Sequence, residues 1–179
     1  MSHSPSNLPD IRRYITAHCR EGESVFLSPS QIPEYIPSKP VGEDGEYALL
    51  YATTTTPVIT DNEADVAAYD DFLHTPPGIT TSQGSVLRSI DLRPGKCSPM
   101  HRTVSVDYGI VIEGKVDLIL DSGETRTLRR GDVGIQRGTA HSYRNRSETE
   151  WCRMLFMYLP MRMLNIKGKD VEEEVYDSK

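Results

Sequence analysis

The sequence predicts an all-β protein: an antiparallel β-barrel of the jelly-roll kind, with an N-terminal β arm and a few short helices. Three observations predict it. Gly114, Gly123 and Gly131 punctuate short apolar runs at regular spacing, as turns do between consecutive antiparallel strands. From His101 to Ile112 a polar set (His101, Thr103, Ser105, Asp107) alternates with an apolar one (Tyr108, Ile110, Ile112), which is the period of an extended strand whose two faces differ. Tyr47 to Thr55 and Trp151 to Leu159 are rich in β-formers.

Taken in order, residues 1–80 read as an arm that packs on the barrel or on a partner subunit. Arg12 to Leu27 fits a hairpin around Glu21-Gly22, with Tyr14, Val25 and Phe26 as apolar contacts, while the spacing of Ile11, Tyr14 and Ile15 equally admits a helical turn. Pro29, Pro33, Pro37 and Pro40 break the next stretch into loops, and Tyr47 to Thr55 then suits an outer or subunit-crossing strand. Thr60 and Glu63 have the spacing of a capping box before a short helix to Phe72, ended by Pro76-Pro77-Gly78.

Residues 81–160 carry the barrel. After the alternating strand the chain turns at Glu113-Gly114, runs through Val116, Leu118 and Leu120, turns at Asp121 to Glu124 and returns through Thr125 to Arg129. Trp151 to Leu159 is the last strand, closed by Pro160. Residues 161–179 are charged and read as a solvated tail.

Composition narrows the setting. A chain of 179 residues can bury one core, although 37% apolar residues points to long polar surface segments. A net charge of −6 with scattered arginines argues against a nucleic-acid partner. Cys19, Cys97 and Cys152 are odd in number and lack C-x-x-C spacing, so they read as reduced thiols in a cytoplasmic protein. No apolar run has the length to span a membrane.

Two segments carry the chemistry: GKCSPMHRTVSVDYGIVIEG (Gly95 to Gly114) and GDVGIQRGTAHSYRN (Gly131 to Asn145). They resemble the paired motifs of the cupin superfamily, G-x5-H-x-H-x3-4-E-x6-G and G-x5-P-x-G-x2-H-x3-N, and the chain is similar to stand-alone, single-barrel cupins of microbial natural-product pathways. Thr103 stands where the first motif has its second histidine and Asp107 where it has glutamate. Gln136 replaces the proline of the second motif, and one spacer residue is missing after Gly131.

The resemblance implies a site made of His101, Asp107 and His141, acting as catalytic groups and, if a metal is bound, as ligands to Fe or Zn. Thr103, Ser105, Gln136, Arg137 and Tyr143 are the residues expected to bind substrate. Thr103 is a poor ligand, because a neutral hydroxyl donates less charge than imidazole. His3 and His18 fall in the arm, His74 precedes a proline loop, and Arg102 faces away from His101. Three functions are compatible with this set. The first in rank is a lyase- or isomerase-type proton transfer, such as dehydration, decarboxylation or cyclisation, on an oxygenated polyketide-like intermediate. The second is a metal-dependent oxidoreductase or dioxygenase, weakened by the missing imidazole. The third is a cupin that only binds a small molecule. A small-molecule substrate is the expected ligand and a homodimer the expected assembly, since an unplaced apolar arm suits a second copy.

Overall fold

The alternation read from the sequence becomes strands, and its glycine and proline punctuation becomes the turns between them. The computed structural model describes residues 6–176, so His3 lies outside the described residues. The first strands are β1 (Thr16–His18), β2 (Ser24–Phe26), β3 (Lys39–Val41) and β4 (Gly45–Ala52), followed by a 3-10 turn (Asp61–Glu63) and α1 (Ala64–His74). The barrel strands are β5 (Val86–Leu92), β6 (His101–Arg102), β7 (Ser105–Glu113), β8 (Lys115–Leu120), β9 (Thr125–Arg129), β10 (Val133–Arg137), β11 (His141–Asn145) and β12 (Cys152–Pro160). Three short strands end the chain: β13 (Leu164–Ile166), β14 (Lys169–Val171) and β15 (Glu174–Val175).

One sheet has the order β10-β7-β12-β5-β4-β3 and the other β15-β6-β11-β8-β9. Their inner faces share one core. Register places Asp107, Tyr158 and Val86 side by side across β7, β12 and β5, with Gly109, Phe156 and Arg88 in the next row. Val111, Met154 and Phe156 from the first sheet pack with Val116, Leu128 and Tyr143 from the second. Each such side chain contributes about 1.5–3 kcal/mol by leaving water. The other face of β7 is half-buried at Tyr108, Ile110 and Ile112, and exposed at neighbouring Val133 and Ile135.

The turns fall where glycine was read. Gly114 has φ +85, and a Cβ there would stand 2.7 Å from the Cys152 Cβ, so no larger residue closes the turn between β7 and β8. Asn145 is pinned at the end of β11, its amide donating to the carbonyls of Leu92, Arg93 and Glu150 while its oxygen accepts from the Ser147 N–H. This motif residue holds a corner of the barrel together.

The arm folds back on its own chain. β1 and β2 form the expected hairpin, which excludes the alternative helical turn at Ile11 to Ile15. Arg13 donates to the Tyr69 hydroxyl of α1, which donates to the Leu49 carbonyl of β4. Further along, Arg153 of β12 grips Asp91 of β5 and donates to the Pro9 carbonyl, clasping the arm to the sheet.

Three expectations are corrected. β4 is an inner strand of the six-stranded sheet, paired on both sides within the chain, because β3 supplies the edge. The capping box does not form: Thr60 makes no side-chain cap, since Asn62 and Glu63 take left-handed backbone (φ 52 and 57) and separate the 3-10 turn from α1, which runs on to His74. The charged tail is structured. β13 and β14 form a hairpin, and β15 adds itself to the edge of the smaller sheet beside β6. Among the described residues no helix is long and apolar enough to cross a membrane, and Cys19, Cys97 and Cys152 are free thiols.

Candidate active site

β6 and β11 pair at one position, His101 opposite His141, and antiparallel register turns both imidazoles to the same inner face. Their ring centroids are 4.5 Å apart. Each ring is oriented by a backbone carbonyl two residues earlier: Pro99 O lies 2.8 Å from Nδ1 of His101, and Thr139 O lies 2.9 Å from Nδ1 of His141. A carbonyl only accepts, so Nδ1 carries the proton in both rings and Nε2 carries the lone pair whenever the ring is neutral. Burial, reinforced by the charge of His101 and opposed by the Thr139 carbonyl, pushes the His141 pKa down to about 4. His141 is therefore a neutral base across the physiological range.

β7 and the link before it supply a buried polar triplet. Ser105 donates to Oδ1 of Asp107 and Thr103 donates to Oδ2 at 3.1 Å, with all three residues no more than 2% exposed. Burial raises the Asp107 carboxyl above the usual carboxylate range; the two hydroxyls and His101 oppose the shift, and Glu173 adds to it.

A cavity of about 50 Å³ joins these groups, with His101, Asp107 and His141 at its polar end. Apart from Ser98, its remaining wall is apolar and aromatic: Ile90 and Leu92 from β5, Met154, Phe156 and Tyr158 from β12, and Tyr143 from β11. His141 meets Tyr143 edge-on, Tyr143 meets Phe156 edge-on, and Phe156 stacks on Tyr158 at 5.7 Å. The Tyr143 hydroxyl is buried without a hydrogen-bond partner of ordinary geometry, and burial raises its pKa to about 12, so it holds its proton.

The structure brings His101, Asp107, His141 and Tyr143 to one cavity. Thr103 and Ser105 stand behind them as the donors that orient Asp107. Gln136 is buried but its oxygen accepts from Thr139, the residue whose carbonyl orients His141. Arg137, next along β10, is exposed by the alternation of that strand and does not line the cavity. His18 lies in β1, and His74 ends α1 with Nδ1 on the Asp70 carbonyl. Phe156 and Tyr158 were not singled out from the sequence. Period two along Met154, Phe156 and Tyr158 was legible, but a last strand apolar on both faces does not reveal which face lines a site.

The resemblance implies a bound Fe or Zn, and the donor set meets only part of that requirement. Two imidazole Nε2 atoms are available. Among the described residues, however, no three His, Cys, Asp or Glu side chains are grouped to hold an ion, and the expected third ligand, Asp107, is held by hydroxyls, Ser105 donating to one oxygen and Thr103 to the other. The residues present thus do not complete the expected ligand triad of His101, Asp107 and His141.

Comparison with known proteins follows the same lines. The Cupin domain family profile matches residues 88–158. The chain is 51% identical over 164 residues to phomopsin biosynthesis cluster protein C' of Diaporthe leptostromiformis, covering 90% of this chain and 86% of that one. It is 40% identical over 173 residues to the cupin-domain-containing oxidoreductase fogC of Aspergillus ruber, covering 95% and 82%. Among solved structures, the polyketide cyclase RemF from Streptomyces resistomycificus aligns with a TM-score of 0.51 at 17% identity, covering 80% of this chain and 82% of that one, a likeness of fold.

Proposed function

Because this chain belongs to the cupin family, and because its barrel turns two imidazole Nε2 atoms into one apolar cavity, we propose that it is a small-molecule tailoring enzyme that works by proton transfer. The pair of carbonyl-oriented histidines carries this reading. Neutral His141 takes a proton from a carbon next to a substrate carbonyl, and the electron pair moves to the carbonyl oxygen as an enolate. His101, half-buried beside it, delivers a proton to a second atom: another carbon in an isomerisation, the alkoxide formed when the enolate closes a ring, or a hydroxyl that departs as water. In a decarboxylation the enolate forms instead by breaking the bond to the departing carbon dioxide, and His101 protonates the carbon left behind. Asp107 lies close enough to His101 for the two charges to interact. The aromatic wall suits a planar, oxygenated intermediate of polyketide type, and the biosynthesis-cluster name of the phomopsin relative supports a tailoring role.

A second reading rests on one observation, the name oxidoreductase borne by relatives such as fogC over nearly the whole chain. The experiment that separates the two is a product mass. The metabolite that accumulates when the coding gene is deleted is incubated with purified protein. A product of unchanged mass, or one lighter by a water or a carbon dioxide, supports proton transfer. A product changed by two hydrogens or by oxygen replaces it with the second reading.

A further inference from the structure

The cavity is small for the class of substrate proposed for it. At about 50 Å³ it falls well short of the roughly 300–1,000 Å³ of ordinary ligand pockets, so a substrate of that size calls for a shift in the wall, to which the two-residue strand β6 contributes His101. The barrel strands are poor candidates, since β7 and β12 pair over most of their length and their side chains fill the core. The C-terminal segment is different. β13, β14 and β15 are almost wholly exposed.

That segment brackets the strand carrying His101. Where it leaves β12, the Met161 N–H reaches the Val104 carbonyl, and the Met161 sulfur would sit 3.2 Å from a Cβ on Gly138. After the β13–β14 hairpin, β15 pairs with β6, Val175 opposite His101 and Glu174 opposite Arg102. The Tyr176 N–H donates to the Met100 carbonyl at 2.9 Å. Arg102, turned away from the cavity, holds Glu174 at 3.6 Å and lies over the Tyr176 ring. β6 is only two residues long and has one strand on each side, β11 with His141 and β15 from the tail.

We propose that Met161 to Tyr176 is a hinged strap whose β15 positions His101 against His141 when closed and peels from β6 to admit substrate. The residues that act through His101 are Glu174, Val175 and Tyr176, with Arg102 as the latch. A short ladder and one partly exposed ion pair are the kind of contacts that open locally while the barrel stays folded. The strap rests on the reading of this cavity as the reaction site, but its test does not use turnover.

The test is a reversible tether in the full chain. Arg102→Cys with Glu174→Cys places two thiols at directly opposed antiparallel positions, a separation that a disulfide spans. The probe is diethyl pyrocarbonate, which modifies neutral imidazole, with labelling of His141 followed by peptide mass spectrometry. The oxidised protein should label at least about tenfold more slowly than the same protein after reduction, because closure then depends on a covalent bond and not on a local equilibrium. Equal rates in the two states, or a pair that does not oxidise, would overturn the strap. In the opposite direction, Glu174→Arg should speed labelling and remove hydrogen-exchange protection at the Tyr176 amide, and Arg102→Glu in the same chain should restore both. Labelling unmoved by the charge reversal would also overturn it. If the tether slows labelling while no proton-transfer product is ever found, the strap stands and the assigned chemistry falls.

Discussion

His101 and His141 sit ring to ring across a single inter-strand pair, 4.5 Å between centroids, each with Nδ1 against a backbone carbonyl. The arrangement fixes tautomer as well as position. Neither ring can offer Nδ1 to a substrate without losing its hydrogen bond to a backbone carbonyl, so chemistry at this site runs through Nε2.

His141→Ala should therefore abolish the reaction without unfolding the barrel. The substitution removes the deeper base and leaves the apolar wall of Phe156, Tyr158 and Met154 in place. A loss of at least about 100-fold in rate is expected, with a melting temperature within about 5 °C of the native protein. A variant that melts far earlier would make His141 a core residue.

Acid should report the same burial through stability. An unfolded histidine titrates near 6.5 while folded His141 titrates at about 4, so between those values the unfolded chain binds a proton that the folded chain refuses. Stability is then lost as pH falls through that window, by on the order of 3 kcal/mol at most. Asp107 acts in the opposite sense, since a raised carboxyl pKa keeps a proton on the folded state. Comparison with His141→Gln isolates the first effect. The native protein should lose more urea resistance between pH 7 and pH 5 than the variant, and equal losses would refute a buried neutral imidazole.

How much of this was legible in the sequence depends on where the information sits. The turn at Gly114 was legible because a positive φ beside Cys152 admits only glycine, and the site histidines because polar residues at every second position of a strand must face something polar. Phe156 and Tyr158 were not, because apolar residues on both faces of β12 look alike until a partner sheet is placed. Residues 161–179 were read as a charged, solvated tail; the strands within it are exposed, as that reading implies, but were not foreseen. β15 is held by backbone pairing to an edge, which leaves no mark on side-chain pattern. The capping box failed for a similar reason: the spacing of Thr60 and Glu63 was right, but the backbone between them was not helical.

Close packing at Gly109 gives a stability prediction independent of the chemistry. A Cβ there would stand 2.7 Å from Phe156 Cε1 and 3.0 Å from the Tyr143 hydroxyl. Gly109→Ala should cost about 1–3 kcal/mol by overpacking. Denaturant titration measures this directly. An unchanged midpoint would show that Tyr143 and Phe156 yield freely.

The ion pair under the arm predicts a different signature. Asp91 and Arg153 face each other across β5 and β12 with two contacts of 2.6 Å, and both are buried. Arg153→Met leaves a buried carboxylate without its partner and should cost about 3–5 kcal/mol, whereas Asp91→Leu combined with Arg153→Met should recover most of that loss. Urea midpoints of the two variants decide it. A double variant no better than the single one would mean that the contact to Pro9, and not the charge pair, holds the arm.

The altered motif provides the last prediction. Thr103 now holds Asp107 through Oδ2 in place of an imidazole facing the cavity. Thr103→His with Asp107→Glu removes that hydroxyl, adds a third imidazole and lengthens the carboxylate by one methylene, so three nitrogens and an oxygen can converge. Variant and native protein, expressed in the same iron- and zinc-supplemented medium and purified without chelator, should differ in metal per chain, with the variant approaching one ion and the native protein well below it. The native chain already carrying one tightly held ion, removed by chelator with loss of activity and restored with it, would show that His101, Asp107 and His141 close on a metal after all. The oxidoreductase reading would then take first place.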